Sequence, residues 1–149
     1  EIASCLVGSE MCIRDRYIGN TYEILETCEK IYIGNDFPDE FCHSKDKIRL
    51  KGANEKAKAN MISAIEELIY IAADRTETED YQGKHGAKAK KGWYRYDTRF
   101  GIPKYDENGE LEGYHIYSAK MLVRRDEDGK LYLYDFVRTK KETSSPLRQ

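Results

Sequence analysis

Long apolar runs are missing from this chain: none approaches the roughly 20 residues that a membrane helix requires. A membrane partner is therefore not expected, and no basic segment followed by an apolar stretch marks a secretion signal. Cysteine is sparse, with 4 residues (Cys5, Cys12, Cys28, Cys42) and no CxxC pair. Reduced thiols in a cytoplasmic setting are the expectation. Charge of one sign is missing too. The chain has 25 Lys and Arg against 27 Asp and Glu, a formal net charge of −2. Any affinity for nucleic acid must come from local patches rather than from the overall field. No P-loop, dinucleotide fingerprint or nucleophile elbow occurs, and Cys42-His43 lacks a second ligand pair at zinc-site spacing. Neither a metal nor a cofactor is expected.

What is present suits one folded domain. At 149 residues, 40% of them hydrophobic and 35% charged, the chain can bury a core beneath a heavily solvated surface. Tyr dominates the aromatics, 12 against 4 Phe and 1 Trp, which suits a thin core or a binding face.

The first residues stand apart. Ser4-Cys5-Leu6-Val7-Gly8-Ser9-Glu10-Met11-Cys12-Ile13-Arg14-Asp15-Arg16 follows neither a 2.0 nor a 3.6 residue period. This peptide closely resembles one that recurs in metagenomic translations where sequencing-adapter DNA is read as coding sequence. Residues 1–16 are accordingly expected to be a non-native segment, and residues 17–149 a single domain.

Two short β-rich runs, Tyr22 to Leu25 and Lys30 to Ile33, can pair or form one interrupted strand, and Gly34-Asn35-Asp36 with Pro38 breaks the chain after them. Ala53, Ala57, Met61, Ala64, Ile65, Leu68 and Ala72 then recur at spacings of three and four, predicting one amphipathic helix. Asp74 to Gly92 has almost no large apolar residue and reads as a long loop. Three strands follow, Trp93 to Ile102, Tyr114 to Arg124 and Lys130 to Val137, with turns at Asn108-Gly109 and Asp128-Gly129. The expected fold is α+β: one main amphipathic helix packed on one face of an antiparallel sheet of about 3–5 strands.

A first turn centred on Asn108-Gly109 sets Phe100 opposite Tyr117, Thr98 opposite Ala119, Tyr96 opposite Met121 and Tyr94 opposite Val123. The second turn sets Val123 opposite Tyr132, Met121 opposite Tyr134 and Ala119 opposite Phe136. Both hairpins select the same apolar face of the middle strand, which the helix should cover. The other face then carries Trp93, Arg95, Asp97 and Arg99, then Ser118, Lys120, Leu122 and Arg124, then Leu131, Leu133 and Asp135. Asp97, Lys120 and Asp135 should form one cross-strand row.

Two basic clusters bear on function. Lys84, Lys88, Lys90, Lys91, Arg95 and Arg99 are interleaved with His85, Trp93, Tyr94 and Tyr96; Arg138, Lys140 and Lys141 follow the last strand. Cations of this kind bind phosphates, and exposed rings stack on unpaired bases. The same residues also read as a solvated surface. The Asp97–Lys120–Asp135 row reads either as a structural ion ladder or as a phosphate site built on Lys120. His85 has the pKa range of a general base. His115 falls near the end of the apolar face, as a partly buried structural residue.

From about Lys30 to Leu147 the chain resembles a domain of the large polyvalent proteins of phages and integrative elements. The likeness is carried by Ile31-Tyr32-Ile33-Gly34-Asn35-Asp36-Phe37-Pro38, Lys84-His85, and Gly92-Trp93-Tyr94-Arg95-Tyr96-Asp97-Thr98-Arg99-Phe100. It continues in Met121-Leu122-Val123-Arg124, in Asp128 to Asp135, and in Lys140-Lys141-Glu142-Thr143. Several such domains look like the barnase/EndoU/colicin/RelE group of nucleases. This resemblance implies metal-independent RNA cleavage, with His85 as base, Arg95, Arg99 and Lys120 as phosphate cations, and Thr143 positioning substrate. Lys84, Trp93, Asp97, Asp135, Lys140 and Lys141 would contribute to binding. The EndoU type uses two histidines, and this chain shows no evident second. The alternative is a non-catalytic accessory module that meets protein partners in a parent polyprotein or a head-morphogenesis protein. An apolar patch around Leu122, Leu131 and Leu133 would favour it.

Overall fold

In the computed structural model, residues 2–78 and 92–142 are described, with side chains from residue 10 onward. The element order is α1 (Ile2–Tyr17), β1 (Thr21–Glu23), β2 (Lys30–Tyr32), α2 (Phe37–His43), α3 (Lys45–Arg49) and α4 (Gly52–Asn60). A 3-10 turn (Met61–Ala64) leads into α5 (Ile65–Tyr70), then β3 (Ala73–Thr78), β4 (Trp93–Tyr105), β5 (Leu111–Arg125) and β6 (Leu131–Lys141). The strands make one six-stranded sheet in the order β1-β2-β6-β5-β4-β3. It is α+β as expected, but larger and mixed. The short N-terminal hairpin β1–β2 docks beside β6, with β2 parallel to it through Ile31–Leu131 and Tyr32–Tyr132. The segment expected to be a loop also supplies a strand, because Ala73–Thr78 adds antiparallel to β4 at the far edge. That edge strand is rich in charge and short, which discourages pairing with a further strand.

The expected single helix is broken into α4, the 3-10 turn and α5. Asn60 Nδ2 bonds the Lys56 carbonyl at 3.0 Å and Ser63 Oγ bonds the Asn60 carbonyl at 3.3 Å. These side chains compete for backbone groups at the break. The apolar stripe largely survives it: Ala57, Met61, Ile65, Leu68 and Ala72 are buried, while Ala53 is exposed. Asp36 and Pro38, read as a break, instead open α2, where Pro sits in the first turn and needs no N–H partner. Ser44 ends α2 and caps α3 by accepting from the Lys47 N–H at 3.2 Å.

On β4 and β5 the covered face is the expected one. Tyr96, Thr98, Ala119, Met121 and Val123 are buried beneath Ile65, Leu68 and Ile69, and Thr98 Oγ1 donates to the Leu68 carbonyl at 3.0 Å. Ile13 and Tyr17 of α1 are buried in the same core. Burying one such side chain contributes about 1.5–3 kcal/mol. Among the described residues, no helix is long and apolar enough to cross a membrane.

β4 and β5 pair from Trp93–Arg124 to Lys104–Gly113 without a break, in the expected register. The turn itself differs. It runs from Asp106 to Gly109, with Gly109 at φ +81, and a shift beyond Lys104 absorbs the difference. The pairing of β5 with β6 departs from expectation. Leu131 lies opposite Arg125 and Leu133 opposite Val123, so these two leucines are buried where Tyr132 and Tyr134 were expected. Tyr134 is then an extra residue, and Met121 meets Phe136. A second shift leaves Arg138 and Thr139 facing Ala119, between Ser118–Lys140 and Lys120–Val137.

Candidate functional site

The second β5–β6 shift borders a cleft of about 790 Å³ on the sheet. The end of α5 and the start of β3 form one rim, through Ile71, Ala73 and Asp74. The β4–β5 hairpin forms the floor, through Asp97, Thr98, Arg99, Ser118, Ala119 and Lys120. The end of β6 forms the other rim, through Arg138, Lys140 and Glu142. The volume lies in the range of small-molecule and cofactor sites. Four cations face three carboxylates here, a local excess of positive charge on a chain whose formal net charge is −2.

The charges are partly paired. Lys120 Nζ is in a short ion pair with Asp97 Oδ1, both half-exposed. Arg99 contacts Glu142 at 2.9 Å, with the Arg99 side chain 64% exposed. Ion pairs this open contribute about 0–1 kcal/mol, so an incoming phosphate can exchange for the carboxylates at little cost. Among the described residues, Asp74, Arg138 and Lys140 have no ion-pair partner, and all three are exposed. The cleft can therefore hold an anion and present one carboxylate as a hydrogen-bond acceptor beside it.

Of the residues singled out from sequence, Asp97, Arg99, Lys120, Arg138 and Lys140 come together here. Arg95 is on the same sheet face but opposite Leu122, outside the cleft. Lys141 is exposed at the strand end, opposite Tyr117. Lys84, His85 and Thr143 lie outside the described residues. His115 is half-buried opposite Ile102, and its pKa is lowered by desolvation first and by Lys141 and Lys104 next.

Three expectations need correction. Trp93 is not an exposed stacking platform: it is buried, and its ring meets Tyr134 edge-on at 4.9 Å. Asp135 is not in the row with Asp97 and Lys120, because the Tyr134 bulge moves it away. It is 1% exposed, and its Oδ1 lies 3.1 Å from Nζ of Lys58, which is 0% exposed. Lys58 also reaches Asp46 Oδ2 at 3.1 Å and sits over the Phe41 ring. Burial pushes the Asp135 carboxyl up to about 6, while Lys58 pulls it down. The third correction concerns Leu131 and Leu133, expected on the outer sheet face as part of an apolar patch that would favour an accessory module. Both are buried instead.

Sequence reasoning passed over Asp74 and took Arg138 only as part of the basic cluster after the last strand. Each sits at a strand irregularity that no local pattern marks. Lys58 was missed because a charged residue beside the apolar stripe reads as solvated.

No family model, no curated protein and no solved structure matches this chain.

Proposed function

We propose that this chain is an RNA-binding domain with ribonuclease-like architecture, of phage or mobile-element origin, that uses the sheet cleft as its phosphate site. One observation carries the reading: Arg99, Lys120, Arg138 and Lys140 line a single cleft although the chain as a whole is slightly acidic. The cations sit on paired strands, which fix their backbone positions, and among the described residues Arg138 and Lys140 are exposed without a carboxylate partner. Phosphate affinity built this way is electrostatic and falls as salt rises. The likeness to domains of phage polyvalent proteins and to the barnase/EndoU/colicin/RelE group supports RNA as the polymer.

Cleavage is the further part of the reading. A base removes the proton from a ribose 2′-hydroxyl, the oxygen attacks the adjacent phosphorus, and the 5′-oxygen of the next nucleotide leaves with a proton. The products are a cyclic 2′,3′-phosphate and a 5′-hydroxyl. Arg99 and Lys120 would stabilise the charge developing on the non-bridging oxygens, as preorganised donors do elsewhere. His85 is the proposed base, and Thr143 the proposed positioning hydroxyl.

End-labelled single-stranded RNA incubated with the domain in EDTA tests both parts. Salt-sensitive binding supports the phosphate site, and cleavage that is lost in His85→Ala supports the chemistry. Binding without cleavage confines the function to RNA capture. No binding at low salt defeats the whole reading.

A further inference from the structure

Three residues other than glycine have positive φ among the described residues: Cys28 at +60°, Asp74 at +56° and Arg138 at +57°. Cys28 lies in the turn between β1 and β2, where its N–H closes on the Ile24 carbonyl. The other two both line the cleft, one on each rim. Each sits in a β-bulge. Asp74 and Arg75 together face Tyr96, and Arg138 and Thr139 together face Ala119. The bulges therefore flank the β4–β5 hairpin, offset by two residues along it and about 14 Å apart laterally across three strand spacings.

Each bulge is also clamped from outside the sheet. The Asp74 N–H donates to Glu26 Oε1 at 3.2 Å, and the Arg138 N–H donates to Asp46 Oδ1 at 2.9 Å. The second oxygen of Asp46 holds the buried Lys58. Left-handed backbone is unfavourable for a side chain as large as Arg, and strain of this kind persists where the surroundings over-determine it. Bulges re-aim side chains at the margins of sites. The two clamped bulges thus place an unpaired carboxylate and an unpaired guanidinium on opposite rims of one cleft.

We propose that Asp74 and Arg138 are the ligand-contacting pair of the cleft: Arg138 takes a phosphodiester, and Asp74 accepts from a ribose 2′-hydroxyl, so that the site prefers RNA to DNA. This deepens the RNA reading and rests on it. Phosphate is common to both polymers, whereas the 2′-hydroxyl is the group that distinguishes RNA. Asp46 and Glu26 are positioning residues that fix the two backbones.

Glycine substitution separates ligand contact from structure, because Gly adopts positive φ freely. Fluorescence anisotropy with single-stranded RNA and DNA of one sequence, alongside thermal unfolding, makes the test. Arg138→Gly should weaken both polymers about tenfold and lower the salt slope by about one, with an unfolding temperature equal to or above wild type. Asp74→Gly should weaken RNA about tenfold, leave DNA unchanged and abolish the preference. Unchanged affinity in Arg138→Gly overturns its role, as does a loss of affinity that only follows a loss of stability. Asp74→Gly acting on both polymers alike, or on neither, overturns the hydroxyl contact. Binding that survives both glycine variants but is lost in the Arg99→Ala, Lys140→Ala double variant leaves the RNA reading standing without this pair. Wild type that binds neither polymer at low salt removes the reading itself.

Discussion

The two neighbours of β5 make contrasting pairs with it. On one side β4 runs in unbroken register from Trp93–Arg124 to Lys104–Gly113. On the other, β6 slips twice, at Tyr134 and at Arg138–Thr139. The regular side is a platform: its inward residues bury against α5, and its outward residues present Asp97, Arg99 and Lys120 to solvent. The irregular side supplies the features a regular ladder cannot. One slip sends Asp135 to the buried Lys58, and the other places Arg138 on the cleft rim. Strand regularity here supports the site, and departures from it shape the site.

The sharpest way to break the comparison is at Lys58. Replacing it by Met leaves the buried Asp135 without its cation and should cost about 3–5 kcal/mol in chemical denaturation. Replacing Asp135 by Asn in the same chain should recover a good part of that loss; no recovery would mean that Lys58 acts through packing alone. On the regular side, Thr98→Val removes the hydrogen bond to the Leu68 carbonyl while keeping shape, and should cost only about 1 kcal/mol. A cost as large as that of Lys58→Met would refute the ranking.

A pH series sharpens the same contrast. The Asp135 carboxyl is raised to about 6 in the folded chain, from an ordinary value of 3.8, chiefly by burial. The folded state therefore binds more protons than the unfolded one between those values. This group's contribution should grow as pH falls through about 6, be complete below about 4, and be lost as pH rises back through about 6. Subtracting an Asp135→Asn stability profile from that of wild type isolates the trend; a difference that grows with rising pH would contradict it. The smallest effect belongs to the Lys120–Asp97 pair. Lys120→Met should change stability by less than about 1 kcal/mol, yet weaken RNA binding measurably in the same anisotropy assay.

The contrast also explains what was legible in the sequence. Alternation along Trp93 to Phe100 and Tyr117 to Val123 defined the faces of β4 and β5, since one buried face penalises any slip by a residue. The register came out as expected although the turn did not, because the shift beyond Lys104 compensated for the longer loop. In β6 the run Leu131-Tyr132-Leu133-Tyr134 allows either set to face inward, and Tyr is as suited to a half-buried face as Leu is to a core. Elements distant in sequence pack on this strand, among them β2 beside Leu131 and Tyr132 and the helices α2 and α4. Thus Asp97, Arg99, Lys120 and Lys140 were found from parity and charge and Arg138 from charge alone, whereas the placing of Asp74 and Arg138 on the rims depends on bulges held by Glu26 and Asp46. The extra strand Ala73–Thr78 escaped notice because its residues are polar and mostly exposed, as suits an edge strand.

The most direct test of the cleft is a heteronuclear NMR titration with a short single-stranded RNA. Amide shifts should concentrate on residues 73–74, 97–99, 118–120 and 138–142, and diminish with added salt. Shifts that centre instead on the Tyr32–Tyr132 end of the sheet, or that never appear, would contradict the account.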